Sequence, residues 1–145
     1  MSSASGSNVP ILYTANLILQ VAMLLLLIVG RSLAKNKKFR SHGLMMTAAT
    51  VLHVVSILLV MAPSFVRYFG VLLGRPNFGI VVTWIHVITG TLAAALAIFV
   101  VARWRLQKST AVCIKRKQLM KPLLLLWATA LLLGIGFYVF YYVSL

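Results

Sequence analysis

The chain is 145 residues long, 62% hydrophobic, and carries 14 Lys and Arg against no Asp and no Glu. Lacking side-chain carboxylates, it cannot build glycosidase-type acid pairs, Ser-His-Asp triads, carboxylate proton relays or dedicated Mg²⁺ and Ca²⁺ sites. Acid–base or metal chemistry is left to His42, His53, His86, Cys113, the tyrosines and the methionines.

The apolar residues fall in four runs, Ile11 to Gly30, Ser41 to Val66, Gly79 to Ala102 and Pro122 to Leu145, none of which contains Lys, Arg, Asp or Glu. A helix rising ~1.5 Å per residue needs about 20 such residues to cross ~30 Å of hydrocarbon. The expected fold is therefore all-α, an integral membrane four-helix bundle. It forms a single domain over residues 11–145, with spans near 11–30, 43–65, 79–102 and 122–143.

In chain order, residues 1–10 read as a short, uncharged, flexible tail. They lack the basic start of a secretory signal, and the run that follows is too long for one, so no cleavage is expected. Span one carries Asn16 and Gln20 one turn apart, a spacing at which amides join helices by hydrogen bonds. The first loop holds Arg31, Lys35, Lys37, Lys38 and Arg40; the second holds only Arg67 and Arg75; the third holds Arg103, Arg105, Lys108, Lys115, Arg116, Lys117 and Lys121. The positive-inside rule puts loops one and three in the cytoplasm, with the second loop and both termini outside. A soluble chain this basic would suggest nucleic acid. Here the cations flank spans, so no nucleic acid is expected. Anionic lipids at the inner face are the first expected partners, and other, acidic membrane-protein subunits the second.

Span two carries Thr47, Thr50, His53 and Ser56 at every third position, a polar stripe along an otherwise apolar helix. Such a stripe faces another helix, water or a cofactor. Met45, Met46 and Met61 offer soft sulfur to copper, although methionine is also ordinary helix filler. Span three sets Thr83, His86, Gly90, Ala94 and Ala97 on one side, small enough for a backbone or a flat ligand to approach. Cys113 is the one cysteine, so no intrachain disulfide is available. Trp104, Trp127, Tyr138, Tyr141 and Tyr142 mostly fall where aromatic rings settle at the membrane interface. Span four adds Gly134 and Gly136.

Depth narrows the histidines. His53 lies eleven residues, ~16 Å, beyond His42, which sits at the inner rim, and His86 lies roughly 10 Å below the outer surface. His53 and His86 then share a depth near the midplane. Two neutral imidazoles on facing helices are suited to axial ligation of a haem b iron, with Arg67 or Arg75 meeting the propionates. The competing reading gives each histidine a hydrogen bond to a neighbouring Thr, Ser or backbone carbonyl.

Certain features occur in a familiar order. They are Arg40-Ser41-His42 before span two, then Met45-Met46-Thr47-Ala48-Ala49, Trp84-Ile85-His86 with Gly90, and Lys115-Arg116-Lys117 leading to Trp127, Gly134, Gly136 and a tyrosine-rich end. In this the chain resembles the YozB-like (CtaM-type) family of small prokaryotic membrane proteins. The resemblance covers roughly residues 11 to 145, and the third loop departs from the family pattern in holding only Lys and Arg. It implies a non-catalytic multi-pass protein of the prokaryotic plasma membrane that helps cytochrome oxidase assembly at haem maturation, with His42 and His86 carried over by position. Three expectations stand. One is a haem-linked accessory or assembly factor, and another a purely structural accessory subunit with no cofactor. An independent enzyme or transporter is disfavoured by the missing carboxylates and the lack of an inverted repeat.

Overall fold

The computed structural model describes residues 8–105 and 117–140, and these are all-helical with no strand among them. The helices are α1 (Asn8–Lys35), α2 (Phe39–Ser56), α3 (Ala62–Leu72), α4 (Phe78–Arg105) and α5 (Lys117–Tyr138). A π-helical turn, Ile57–Met61, joins α2 to α3 without a break. Four helical rods are long and apolar enough to cross a membrane, with mean hydropathies of 2.3, 2.2, 2.2 and 1.8. Cys113 and the third-loop cations Lys108, Lys115 and Arg116 lie outside the described residues, as do Tyr141 and Tyr142.

Helix α1 packs on α2 and α5, and α4 packs on α5 and α2, so the four spans close a ring in the order α1, α2, α4, α5. The core is formed by Met23 and Leu27 of α1, Ala49 of α2, Ala93 and Ala97 of α4, and Leu123, Trp127 and Leu131 of α5. Polar residues share this interior, with Gln20, His42, Thr50, His53 and Ser56 all buried. The outside is greasy: Ile18, Leu25, Ile28, Leu58, Leu59 and Leu125 are among its exposed apolar side chains. Water would penalise that arrangement and lipid does not, because hydrocarbon is as good a neighbour for leucine as another leucine. This is a multi-pass membrane protein.

The helices outrun the apolar stretches. Helix α1 begins at Asn8, inside the stretch read as the tail, and continues through the first cations to Lys35. It ends where Lys37 adopts φ 58°. There the Lys38 N–H reaches the Leu33 carbonyl and the Lys37 N–H the Ala34 carbonyl, a Schellman closure with lysine where glycine is usual. The second span, expected over 43–65, runs as one helical rod from Phe39 to Leu72. Pro63 explains its π turn. Proline has no N–H to give a carbonyl one turn back, and a wider turn in the residues before it takes up the lost bond.

Beyond the π turn, α3 buries no residue. It is tied to its neighbours at a few points. The Tyr13 and Ser64 hydroxyls are 3.3 Å apart, Phe65 meets Trp84 edge-on at 5.7 Å, and the Trp84 Nε1–H donates to the Leu72 carbonyl at 3.3 Å.

Candidate functional site

The midplane of the bundle gathers a polar group from each span. On α1, Asn16 accepts a 2.5 Å hydrogen bond from the Ser56 hydroxyl of α2, so one amide does join helices as its position predicts. Gln20, one turn further in, is buried and lies against Gly134 of α5. An added Cβ at Gly134 would fall 2.5 Å from Gln20 Oε1, so the glycine is what lets the amide into the bundle. Gln20 Oε1 has no hydrogen-bond partner among the described residues.

The polar stripe of α2 divides into two kinds of residue. Thr47 and Thr50 donate to the carbonyls of Gly43 and Met46 on their own helix, and so spend their hydroxyls locally. Thr83, Thr89 and Thr129 do the same elsewhere. His53 and Ser56 instead turn across the bundle, Ser56 to Asn16 of α1 and His53 to Trp127 of α5.

His53 is fully buried and stacks on Trp127 of α5, with ring centroids 5.4 Å apart and planes 25° from parallel. Among the described residues its Nδ1 has no hydrogen-bond partner, and neither has the Trp127 indole N–H. Trp127 was expected with the interfacial rings; at 1% exposure it instead fills the centre of the bundle. The sequence does carry a signal for this, because Trp127 stands five residues inside the apolar run and seven before Gly134, which puts both on one face of α5.

His86, on α4, is bonded through Nδ1 to the Ala130 carbonyl of α5 at 2.9 Å. A carbonyl can only accept, so Nδ1 carries the proton and Nε2 keeps its lone pair. The ring also meets Phe137 of α5, with centroids 6.4 Å apart and planes 77° from parallel. Ala130 and Trp127 are three residues apart on α5, so His86 and His53 meet α5 within about 4.5 Å of one level. The shared depth expected for this pair is therefore present, but Trp127 occupies the space along His53.

His42 is apart from them at the basic end. It too donates Nδ1–H to a backbone carbonyl, that of Gly30, at 2.7 Å, and its buried Nε2 has no partner among the described residues. Close by, Gly43 carries the Trp104 indole directly on its backbone, which draws α2 and α4 together. Arg67 and Arg75 are exposed at the opposite end. Arg67 lies over the Tyr68 ring at 5.9 Å, on α3. It stands fourteen residues from His53, about 21 Å along the rod. The geometry thus groups His53 with His86 and leaves His42, Arg67 and Arg75 at the rims. Among the described residues no three His or Cys cluster to hold a metal ion.

Comparison of the chain with protein-family models, curated proteins and solved structures returns no match.

Proposed function

We propose that this protein is a non-catalytic accessory or assembly factor for a haem-containing respiratory membrane complex, and that His86 is its ligand for haem b. One observation carries this reading. The Nδ1–H of His86 is fixed on the Ala130 carbonyl, which leaves the lone pair on Nε2, the arrangement in which a histidine ligates iron, with tautomer and ring direction set by a backbone partner. His42 repeats that arrangement at the inner rim. The resemblance to the YozB-like family favours the same two residues, and the absence of carboxylates favours a helper over an enzyme.

The donor set suits haem, but the space between His53 and His86 does not suit a macrocycle held by both, because the Trp127 ring lies against His53. His86 would therefore be the one residue of the His53–His86 pair to hold the group. Bound haem would supply a one-electron iron centre; the chain's own part is to hold the imidazole in one tautomer and one direction.

The test is an oxidised and dithionite-reduced absorption spectrum of protein purified in mild detergent from cells supplied with a haem precursor. A Soret band lost in His86→Ala and kept in His53→Ala is the expected result. A flat spectrum, under conditions that load a control cytochrome, sinks the haem reading.

The second reading is a structural accessory subunit. It is favoured by the Ser56–Asn16 bond and the Trp127–His53 stack, which absorb the stripe of α2 into packing. It predicts stable co-purification with a subunit that supplies the missing carboxylates.

A further inference from the structure

At the basic end of the bundle, His42 is 6% exposed and its Nδ1–H is fixed on the Gly30 carbonyl. The lone pair therefore rests on Nε2, which is buried and has no partner among the described residues. A buried polar atom in that state calls for a partner, and an ion is one kind that can serve.

Two thioethers lie on the same face of the helix. Met45 and Met46 follow His42 by three and four residues on α2, a spacing that sets Cβ atoms roughly 5–6 Å apart. Long side chains on a helix lean toward its N-terminus, so both methionines lean over the turn that carries His42. The surroundings of Gly30 on α1 show the outcome. The Met46 methyl group fills the place where a Gly30 Cβ would stand, with His42 Nδ1 at 3.6 Å from that point and Met45 Cβ at 3.7 Å. The missing side chain of Gly30 is thus what lets the imidazole and the Met46 side chain share one recess of α1. Three rotatable bonds then allow each thioether to adjust to a bound ion.

The chemistry of this set selects its ligand. One imidazole nitrogen and two thioethers are neutral, and the chain has no Asp or Glu to add a negative charge. Arg31, Lys35, Lys38 and Arg40 belong to the same end, so a divalent ion meets repulsion there that no ligand charge offsets. Hard cations also require oxygen ligands, whereas thioethers suit soft metals, Cu(I) among them. By the positive-inside rule this end faces the cytoplasm, a reducing compartment that keeps copper as Cu(I).

We propose that His42 Nε2 and the thioethers of Met45 and Met46 bind one Cu(I) ion at the inner rim of the bundle. The site shares no residue with the His86 haem ligand, so either can fail without the other.

Anaerobic Cu(I) titration tests it. The full-length protein, in mild detergent, carries Cys113→Ser, because a thiolate binds Cu(I) by itself. It competes for Cu(I) with bicinchoninate, whose copper complex is coloured. One Cu(I) per chain is expected, with both nitrogen and sulfur in the copper X-ray absorption spectrum. The double variant Met45→Leu, Met46→Leu conserves side-chain volume and so keeps the fold, which circular dichroism checks. It should bind Cu(I) at least about 100-fold more weakly, the upper end of what losing a supporting group alone costs a metal site. His42→Ala should lose the ion as well. Absence of stoichiometric Cu(I) in the starting protein overturns the proposal, as does a copper spectrum without sulfur. Unchanged affinity in the methionine double variant or in His42→Ala also overturns it, by placing the copper on other residues.

Discussion

Trp127 lies nearly flat on His53, both rings fully buried, and the stack joins α5 to α2 across the centre of the bundle. No other side chain on α5 reaches the polar stripe of α2 in this way among the described contacts. In a membrane, helices gain little from leaving lipid for one another, so contact area of this kind is what holds them together. Trp127→Ala should therefore cost about 3–5 kcal/mol, the range for emptying a buried Trp site. Trp127→Phe keeps a ring on His53 and should cost less than half as much. Reversible unfolding in mixed micelles measures both, and equal losses in the two variants would show that the stack does not matter.

The Ser56–Asn16 hydrogen bond makes a second, smaller tie, between α1 and α2. Interhelical hydrogen bonds in membranes average about 0.6 kcal/mol and reach ~1.7. The double-mutant cycle of Ser56→Ala with Asn16→Leu should return a coupling within that range. A coupling of zero would mean that both groups find other partners when separated.

Close backbone contact is the third element. An added Cβ at Gly43 would sit 2.6 to 2.9 Å from three atoms of the Trp104 ring, and a stiff ring cannot fold away as a flexible chain would. Gly43→Ala is expected to destabilise the protein by about 1–3 kcal/mol through overpacking. In a Trp104→Leu background the same substitution should be close to neutral, because the obstructing ring is gone. The non-additivity between the two, read in the same unfolding assay, is the decisive quantity.

Much of this was legible beforehand, and the parts that were not have identifiable reasons. The four spans follow from unbroken apolar runs, and the common depth of His53 and His86 from residue counting along opposed helices. The pairing of Asn16 with another helix follows from an amide's need for a partner in lipid. Trp127 was misplaced because a tryptophan's amphipathic preference for the interface is only a tendency. A tertiary contact, the His53 ring, outweighed it. The π turn is announced by Pro63, but its register is not, since several residues before a proline can absorb the missing bond. The backbone partners of His42 and His86 were open for a similar reason, because a carbonyl acceptor leaves no trace in side-chain spacing.

Lys37 offers a test that strengthens the fold. It adopts φ 58° in the α1–α2 turn, a conformation that costs an L-residue roughly 1 kcal/mol and glycine almost nothing. Lys37→Gly should raise stability by up to about 1 kcal/mol, offset in part by the greater freedom of glycine in the unfolded chain. A substantial loss would indicate that the lysine charge contributes at the membrane surface.

The continuous rod from Phe39 to Leu72 also has two arms of unequal support. Its outer arm, α3, is eleven residues and about 16 Å long, pivoted where the π turn meets Pro63. A swing of about 10° at that pivot carries Leu72 nearly 3 Å. The Leu72 carbonyl accepts from Trp84, two residues before His86 on α4, so the tip of that arm is fastened to the helix that carries His86.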